Sequence, residues 1–399
     1  MNLSFSKYLD THAERESKLL SFLEGRHWKH AVAVPARRER EWLPRCLASL
    51  SRAAEQSGGK SLGILVVNGE ADEAASTLRD LPLETLATGP APLSLSHYSE
   101  SLQILGVNRT GEFAFPPKQG VGLARKIGCD IALRLYAQNQ LEQARVHTTD
   151  ADVEVPETYF EVPHLEGVAA YLYPFSHRNA NGEYDEAHDL YESFLHYYVE
   201  GLRRASSPYA FHTVGSTLIL SLPHYALIRG FPKREAAEDF YVLNKLAKVG
   251  RIESLKEPLL TIRPRRSDRV PFGTGQATGK LAAALERGET YRVYDPRVFD
   301  ALGAWIRGAE SYCADKDRSA LSATTAPFAS VLDELGAYAA LEVAWQTRSS
   351  ETDRRRHFHT WFDGFRTLRF VHLLTERLFD KIPFSAALTG EKTLLSGLE

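Results

Sequence analysis

Ala144-Arg-Val-His-Thr-Thr-Asp-Ala-Asp152 is a strand-like run, residues 144–149, that ends in two carboxylates, Asp150 and Asp152. Side chains alternate along extended backbone, so two acids spaced by one residue are expected to point the same way. Acids that close repel unless a cation lies between them. A Mg²⁺ or Mn²⁺ ion held by one or two carboxylates takes its remaining ligands from phosphate oxygens and water. The run therefore reads as a metal-diphosphate site at a strand end. An Asp-x-Asp also occurs in solvated turns, here one that would cap a helix opening at Pro156, so the weight falls on its surroundings.

Working outward, Ala31-Val-Ala-Val34 reads as a buried strand ended by Pro35, and Trp42, Leu43, Cys46, Leu47 and Leu50 follow at helical spacing. Residues 62–67 form the next expected strand, closed by an Asn68-Gly69 turn, and 102–107 a third. Val121, Ala124, Ile127, Gly128, Ile131 and Leu135 share one helix face. Further strands are expected at 168–173 and 217–221, and Asn179-Ala-Asn-Gly182 signals a polar turn. The alternation predicts an α/β fold whose mainly parallel sheet is flanked by helices on both faces. Ligands bind such sheets beyond the carboxyl ends of the strands, where 35–39, 68–72, 117–126 and 150–152 would gather. From Tyr291 the pattern is helical to the end, which predicts a C-terminal helical subdomain. The boundary is expected between 270 and 290, around the irregular stretch Arg269-Val-Pro-Phe-Gly-Thr-Gly-Gln276.

Composition narrows the class. At 399 residues and 43% hydrophobic the chain has material for a full core, and its net charge of −3 selects neither nucleic acid nor an anionic membrane. Residues 1–27 carry acids and bases throughout, with Phe5, Tyr8, Leu9, Leu19, Leu20 and Leu23 at helical spacing. That pattern predicts an amphipathic helix over 1–29 rather than a leader peptide. No apolar run has the length of a bilayer span. Cys46, Cys129 and Cys313 lie far apart, which fits reduced thiols in a cytoplasmic protein. In the C-terminal stretch Trp361, Phe362, Phe365, Leu368, Val371 and Leu374 alternate with Arg366, Arg369 and Arg377. Packing within the helical subdomain is the preferred reading, and peripheral membrane contact is the alternative.

Five segments then share an order and spacing. They are Ala31-Val-Ala-Val-Pro-Ala-Arg37 with Glu39, Ile64-Leu-Val-Val-Asn-Gly-Glu-Ala-Asp72, and Gly120-Val-Gly-Leu-Ala-Arg-Lys-Ile-Gly-Cys-Asp-Ile-Ala132. Thr149-Asp-Ala-Asp152 is the fourth, and Gly215-Ser216 with Gly230-Phe-Pro232 and Ala237-Glu-Asp-Phe240 the fifth. Together, over roughly residues 30–265, they resemble the family 2 nucleotide-sugar glycosyltransferases. The resemblance implies a GT-A fold, with a nucleotide-sugar-binding half at 30–152, an acceptor-side half at 153–270, and a loop plus helical subdomain at 271–399. It implies a Mn²⁺ or Mg²⁺ cofactor held by Asp150 and Asp152, with Asp152 the direct ligand. Donor contacts would come from Pro35, Ala36, Arg37, Glu39, Asn68, Asp72, Gly120, Arg125, Asp150, Gly215, Ser216, Arg266 and Arg269. In families with this pattern the Asp of the Glu-Asp pair is the general base, which assigns Asp239 to the acceptor hydroxyl beside Glu238 and implies inversion at the sugar.

Read without the resemblance, Glu238 and Asp239 are acids favoring the first turn of a helix over 240–249. Arg125 would either meet the diphosphate or face solvent opposite Gly128. Arg263-Pro-Arg-Arg-Ser-Asp-Arg269, followed by Gly273 and Gly275, is either a phosphate-binding loop that closes over donor or a solvated charge run. Two departures from the family pattern stand out. Asn68 occupies the position of the uracil-reading Asp, with the acids displaced to Glu70 and Asp72, which leaves the nucleotide open: an amide still admits uridine, so a UDP-sugar is the favored donor and a GDP-sugar the alternative. No His occurs between His224 and His357, which argues against retaining enzymes of the glycosylglycerate synthase kind. Those enzymes, and a non-catalytic GT-A scaffold, are the alternatives. His212 is read as structural. The motifs do not encode the acceptor.

Overall fold

The computed structural model describes residues 3–178, 185–264 and 274–389. In chain order, α1 (Leu3–Thr11) precedes β1 (His30–Ala36), α2 (Leu43–Ser57), β2 (Ser61–Gly69), α3 (Glu73–Leu78), β3 (Glu84–Thr88), β4 (Leu93–His97) and β5 (Leu102–Thr110). Next come α4 (Val121–Ala137), β6 (Arg145–Thr148), β7 (Val153–Glu154), β8 (Val168–Leu172), β9 (Phe175–His177), α5 (Glu186–Arg204), β10 (Leu218–Ser221), α6 (Leu222–Leu227), α7 (Glu238–Leu246), β11 (Arg251–Ser254) and β12 (Leu260–Ile262). The remainder is α8 (Thr274–Glu286), β13 (Arg292–Val293), α9 (Pro296–Asp315), α10 (Arg318–Thr325), α11 (Ala329–Leu335), α12 (Ala337–Thr347), α13 (Glu351–Trp361), α14 (Gly364–Arg377), β14 (Ile382–Pro383) and α15 (Phe384–Thr389). The chain forms two compact units, Met1–Asp185 with Thr213–Gln276, and Glu186–His212 with Ala277–Glu399.

In the first unit nine strands make one sheet in the order β11-β8-β10-β6-β1-β2-β5-β4-β3. β1 pairs in parallel with β2 and β6, β2 with β5, and β8 with β11. β10 runs antiparallel between β6 and β8, and β4 antiparallel to β5 and β3. The expected mixed α/β class with a mainly parallel sheet is what forms. The central strands are buried on both faces, so they read in sequence as apolar runs. One consequence of the topology matters for chemistry. The carboxyl ends of β1, β2, β5, β6 and β8 and the start of β10 share one edge.

A second small sheet, β7-β12-β9, lies in the same unit, with β12 pairing Thr261 to Glu154 and Ile262 to Val153. Three elements differ from expectation. β2 continues through Asn68 and Gly69, paired with Arg109 and Thr110 of β5, where a turn was expected. Residues 1–29 are not one helix: α1 is followed by short 3₁₀ turns, Arg15–Lys18 and Ser21–Leu23. The predicted helix at Pro156 is a single 3₁₀ turn, Glu157–Phe160.

Helix α4 is buried along most of its length, between the sheet and a cover that includes α1 and α6. Its charged residues must therefore find partners inside the protein. Lys126 and Asp130, one turn apart, do so at 2.8 Å, and Asp130 also accepts hydrogen bonds from the hydroxyls of Tyr8 (2.6 Å) and Tyr225 (2.8 Å) and from the Glu14 backbone N–H (2.8 Å). The N-terminal segment is thus pinned to α4.

The second unit is built on α9, against which α5, α10, α12, α13 and α14 pack. Trp305, Phe299, Phe358, Phe362 and Phe370 fill its core. The linear division of the sequence gave residues 186–212 to the acceptor-side half, but α5 packs instead in this helical unit. Its Tyr197 ring meets Phe299 at 5.8 Å, and its hydroxyl donates to the Tyr294 carbonyl at 2.6 Å. The apolar face of α14, with Phe370, Val371, Leu373 and Leu374, is buried in the same core, as the packing reading expected. No helix among the described residues is long and apolar enough to cross a membrane.

The approach of α4 to the sheet depends on Gly128, where an added Cβ would sit 2.5 Å from the Cβ of Ala33 on β1. Gly128→Ala is expected to force the helix off the sheet and lower stability by about 1–3 kcal/mol, the usual cost of overpacking. Urea unfolding of the variant measures it.

Candidate active site

The sheet's carboxyl edge carries the acids. β6 ends at Thr148, and the Thr149 N–H donates to the Ala33 carbonyl of β1 at 3.2 Å. The chain then turns, with the Val153 N–H donating to the Asp150 carbonyl at 3.2 Å. Asp150 and Asp152 therefore project from a turn, not from extended backbone, and the same-face argument made from the sequence does not apply. The turn is tied down on both sides. The Cys46 thiol of α2 donates to the Asp150 carbonyl (3.5 Å), and the Arg263 N–H donates to the Asp152 carbonyl (3.2 Å).

Arg125, in the first turns of α4, reaches this edge. Its side chain is 3% exposed, so the expectation that it faces solvent gives way to an interior ion pair. Nη2 donates to Asp150 Oδ1 at 2.5 Å, and Nη1 donates to Oε1 of Glu238, itself 4% exposed. Space for the guanidinium exists because residue 215 is glycine, where a Cβ would sit 2.6 Å from Arg125 Cζ. The Gly215 carbonyl accepts a hydrogen bond from the Thr148 hydroxyl at 2.6 Å, which fixes that strip beside β6.

Glu238 and Asp239 open α7, as the first-turn reading of the sequence expected. The residue before them, Ala237, has φ +60° and ψ 16°, a left-handed conformation that costs a non-glycine residue free energy and turns the chain into the helix. The preceding loop is anchored on α4, where the Gly122 N–H donates to the Arg234 carbonyl at 2.9 Å. A Cβ at Gly120 would lie 3.0 Å from Glu235 Cα, and none fits at Gly122 against Pro232 and Arg234.

The electrostatics separates the two acids. Burial raises the Glu238 carboxyl despite the Arg125 charge beside it. Asp239 keeps part of its surface accessible, yet desolvation by the packed protein around it, with Glu238 adding like-charge repulsion, pushes it up to about 7. Its Oδ1 accepts from the Phe240 N–H at 2.7 Å, which works in the opposite direction and does not prevail.

Asp150 and Asp152 offer hard oxygen ligands. Asp150 is 36% exposed, and its Oδ2 accepts no hydrogen bond from the described residues. Asp152 is nearly buried beside it. Among the described residues no group of three or more His, Cys, Asp or Glu converges as a metal cage. A donor set of one or two carboxylates fits Mg²⁺ or Mn²⁺, which completes its shell from phosphate and water, and does not fit a structural zinc.

Other residues singled out from sequence lie at varying distance from this center. Pro35 and Ala36 end β1, followed by exposed Arg37 and buried Glu39. Ser216 is buried next to Gly215, and Asn68 is half-buried within β2. Asp72 is exposed just before α3, where its side chain makes no capping bond. Arg266 and Arg269 lie outside the described residues. His212 belongs to the second unit, its ring 4.8 Å from that of His196, and burial with that neighbor pushes it down to about 3.

Glu73 has no reading from the sequence, and Arg263 enters there only as the first residue of a basic run. Glu73 accepts the Arg38 N–H (2.5 Å) and the Thr77 hydroxyl (2.9 Å), tying the loop after β1 to α3. Arg263 donates to Glu154 at 2.5 Å with its guanidinium 4.9 Å from the Trp42 ring centroid. Neither the Arg38–Glu73 nor the Arg263–Glu154 pairing has a local signal, since each joins segments far apart in sequence.

No protein-family model matches this chain, and no curated protein matches it. Among solved structures it is similar to S. aureus TarS, at 12% identity over 87% of this chain and 55% of that chain, with a TM-score of 0.36. The chain thus spans about half the length of TarS. It is also similar to glucosyl-3-phosphoglycerate synthase from Mycobacterium tuberculosis, solved with Mg²⁺ and uridine diphosphate, at 14% identity over 71% of this chain and 88% of that one, with a TM-score of 0.37. At such identities and scores neither likeness bears on substrate or mechanism.

The raised Asp239 carboxyl has a consequence for stability. Its folded pKa lies above the unfolded value, so the folded state holds a proton that the unfolded chain has lost between about pH 4 and about pH 7. Stability linked to this group is full below that window and is lost as pH rises through it. Asp239→Asn, which cannot ionize, should flatten this part of the stability curve and melt higher than wild type at pH 8. Thermal melts of both proteins from pH 4 to pH 8 measure the difference.

Proposed function

We propose that the chain is a metal-dependent glycosyltransferase that moves a sugar from a nucleoside-diphosphate sugar to an acceptor hydroxyl, with inversion and with Asp239 as general base. The observation that carries this reading is the Arg125 bridge, which brings Asp150 of the metal-type turn and the Glu238-Asp239 pair into one cluster at the sheet's carboxyl edge. Open α/β sheets bind ligands at that edge. The acids thus divide into a pair suited to a cation and its diphosphate and a pair suited to proton transfer.

In this reading Asp150 and Asp152 hold Mg²⁺ or Mn²⁺, whose contribution is positive charge at the departing diphosphate. The residues at 35–39, with Asn68 and Gly120, border the donor. An amide at position 68 offers both a donor and an acceptor to a base edge, so a UDP-sugar is favored. Glu238 is committed to Arg125, which leaves Asp239 to take the proton of the acceptor hydroxyl. A base near pKa 7 suits that task, being largely ionized at working pH while retaining proton affinity. Direct displacement by the acceptor oxygen, opposite the leaving diphosphate, inverts the anomeric carbon.

Two measurements test this. Calorimetry with UDP and GDP, with and without Mn²⁺, should give metal-dependent binding that Asp152→Ala abolishes; wild-type affinity in that variant would remove the metal assignment. Release of nucleoside diphosphate from UDP-sugars, assayed over an acceptor panel, should rise with pH through about 7. Asp239→Asn should lose this limb and about two to four orders of magnitude in turnover while keeping donor affinity. NMR of the product's anomeric proton reads the stereochemistry, and retention would replace the inverting scheme.

A further inference from the structure

We propose that Arg125 is a positioning residue that fixes the donor-side carboxylate Asp150 and the acceptor-side carboxylate Glu238 relative to one another, and that glycine is required at 215 to admit it. This inference rests on the glycosyltransferase reading for its catalytic consequence, while the linkage itself stands on geometry alone. The two carboxylates come from segments separated in sequence from Arg125 by 25 and 113 residues, and the guanidinium joins them with one Nη each. It is a planar fork that stays charged at every accessible pH, so it can hold two acids at a fixed spacing; a lysine ammonium is a point charge on a flexible stem and cannot reproduce that geometry.

Room for Arg125 is made at Gly215. An added Cβ at Gly215 would lie 2.6 Å from Cζ and 2.7 Å from both terminal nitrogens. Gly215 does not have the left-handed backbone that only glycine tolerates well, so the guanidinium itself is the obstacle to a side chain there. The Thr148 hydroxyl holds the Gly215 carbonyl at 2.6 Å, so this strip does not simply move aside. Asp239 follows Glu238 directly on α7, so whatever orients Glu238 also sets the first turn that presents Asp239.

Gly215→Ala is the cleanest probe, because it removes no charge and displaces the guanidinium by one methyl. Turnover per folded molecule should fall about 100-fold, the scale expected when reacting groups shift by an ångström, and metal-dependent UDP-sugar affinity should weaken with it because Asp150 shifts with the guanidinium. Arg125→Lys should give the same two losses, in turnover and in metal-dependent donor affinity. A merely structural arginine would instead lower the melting temperature and leave the turnover of folded enzyme at the wild-type level, which would overturn the proposal. The linkage is judged independently of activity by urea unfolding of Arg125→Gln, Glu238→Gln and the double variant. The double variant should lose less stability than the sum of the two single losses, because both remove the same contact. Additive losses would overturn the linkage even if transfer is observed. Absence of transfer by wild type with every donor would remove the glycosyltransferase reading and leave the unfolding cycle to decide the linkage.

Discussion

A guanidinium that cannot lose its proton, placed almost entirely out of water, is the constraint around which the first unit is organized. The Arg125 charge must be met by carboxylates inside the protein, because no pKa shift within reach can neutralize it. Asp150 and Glu238 meet it from opposite sides. A buried ion pair of this kind is weak evidence of stability, since desolvating each partner offsets most of the attraction. Its value lies in geometry: the Asp150 turn and the start of α7 are held to one atom group on a helix that packs against β1.

Charge balance around that group explains why Glu238 and Asp239 are not equivalent. Asp150, Glu238 and Asp239 all contribute to the field at Arg125, a single positive charge. Glu238 and Asp150 occupy its two terminal nitrogens, so Asp239 sits next to an acid already paired and among packed protein atoms. Its ionized form gains less from the arginine than it loses to burial and to Glu238. The same crowding that disfavors the charge sets Asp239 apart from the two acids that Arg125 holds, a pattern in which environment separates like residues.

Much of the sheet was legible because central strands of a parallel sheet are apolar on both faces. Ala31-Val-Ala-Val34, Ile64-Leu-Val-Val67 and Leu102-Gln-Ile-Leu-Gly-Val107 announce β1, β2 and β5 without any need for alternation. β3 and β4 were not legible. Glu84-Thr-Leu-Ala-Thr88 is an edge strand that is mostly exposed, so nothing in its composition separates it from a loop. The Asp-x-Asp stretch reads in sequence as the end of a strand, whereas its backbone turns. Whether residues 150–153 extend or turn is decided by the hydrogen bond from Val153 to Asp150 and by β12 pairing with β7, both set by tertiary structure. The helix carrying Tyr197 and Leu202 likewise carried no label for the unit it would join, because an aromatic face packs on whichever apolar surface the topology offers. The burial of Arg125 had no such signal. Ala124, Ile127, Ile131 and Leu135 mark a single apolar face, and the cover over the rest of the helix comes from α1 and α6, which only the tertiary structure supplies.

The neighboring residue completes the logic of that helix. Successive positions on an α-helix diverge by about 100°, so Arg125 and Lys126 point in different directions from one turn. Arg125 reaches the carboxyl edge of the sheet, while Lys126 donates to Tyr8 and Asp130 at 2.8 Å each, under the N-terminal segment. The loop that delivers Glu238 and Asp239 is gripped from the same direction. Gly230, at φ +73°, sits against the hydroxyls of Tyr8 and Tyr225, and the Arg234 guanidinium lies 3.9 Å from the Tyr241 ring centroid of α7. Residues at the N-terminus that touch none of the proposed reacting groups thereby hold both the helix that carries the arginine and the loop that leads to Asp239. A site assembled from four segments needs such a second layer, because each side chain is only as well placed as the backbone beneath it.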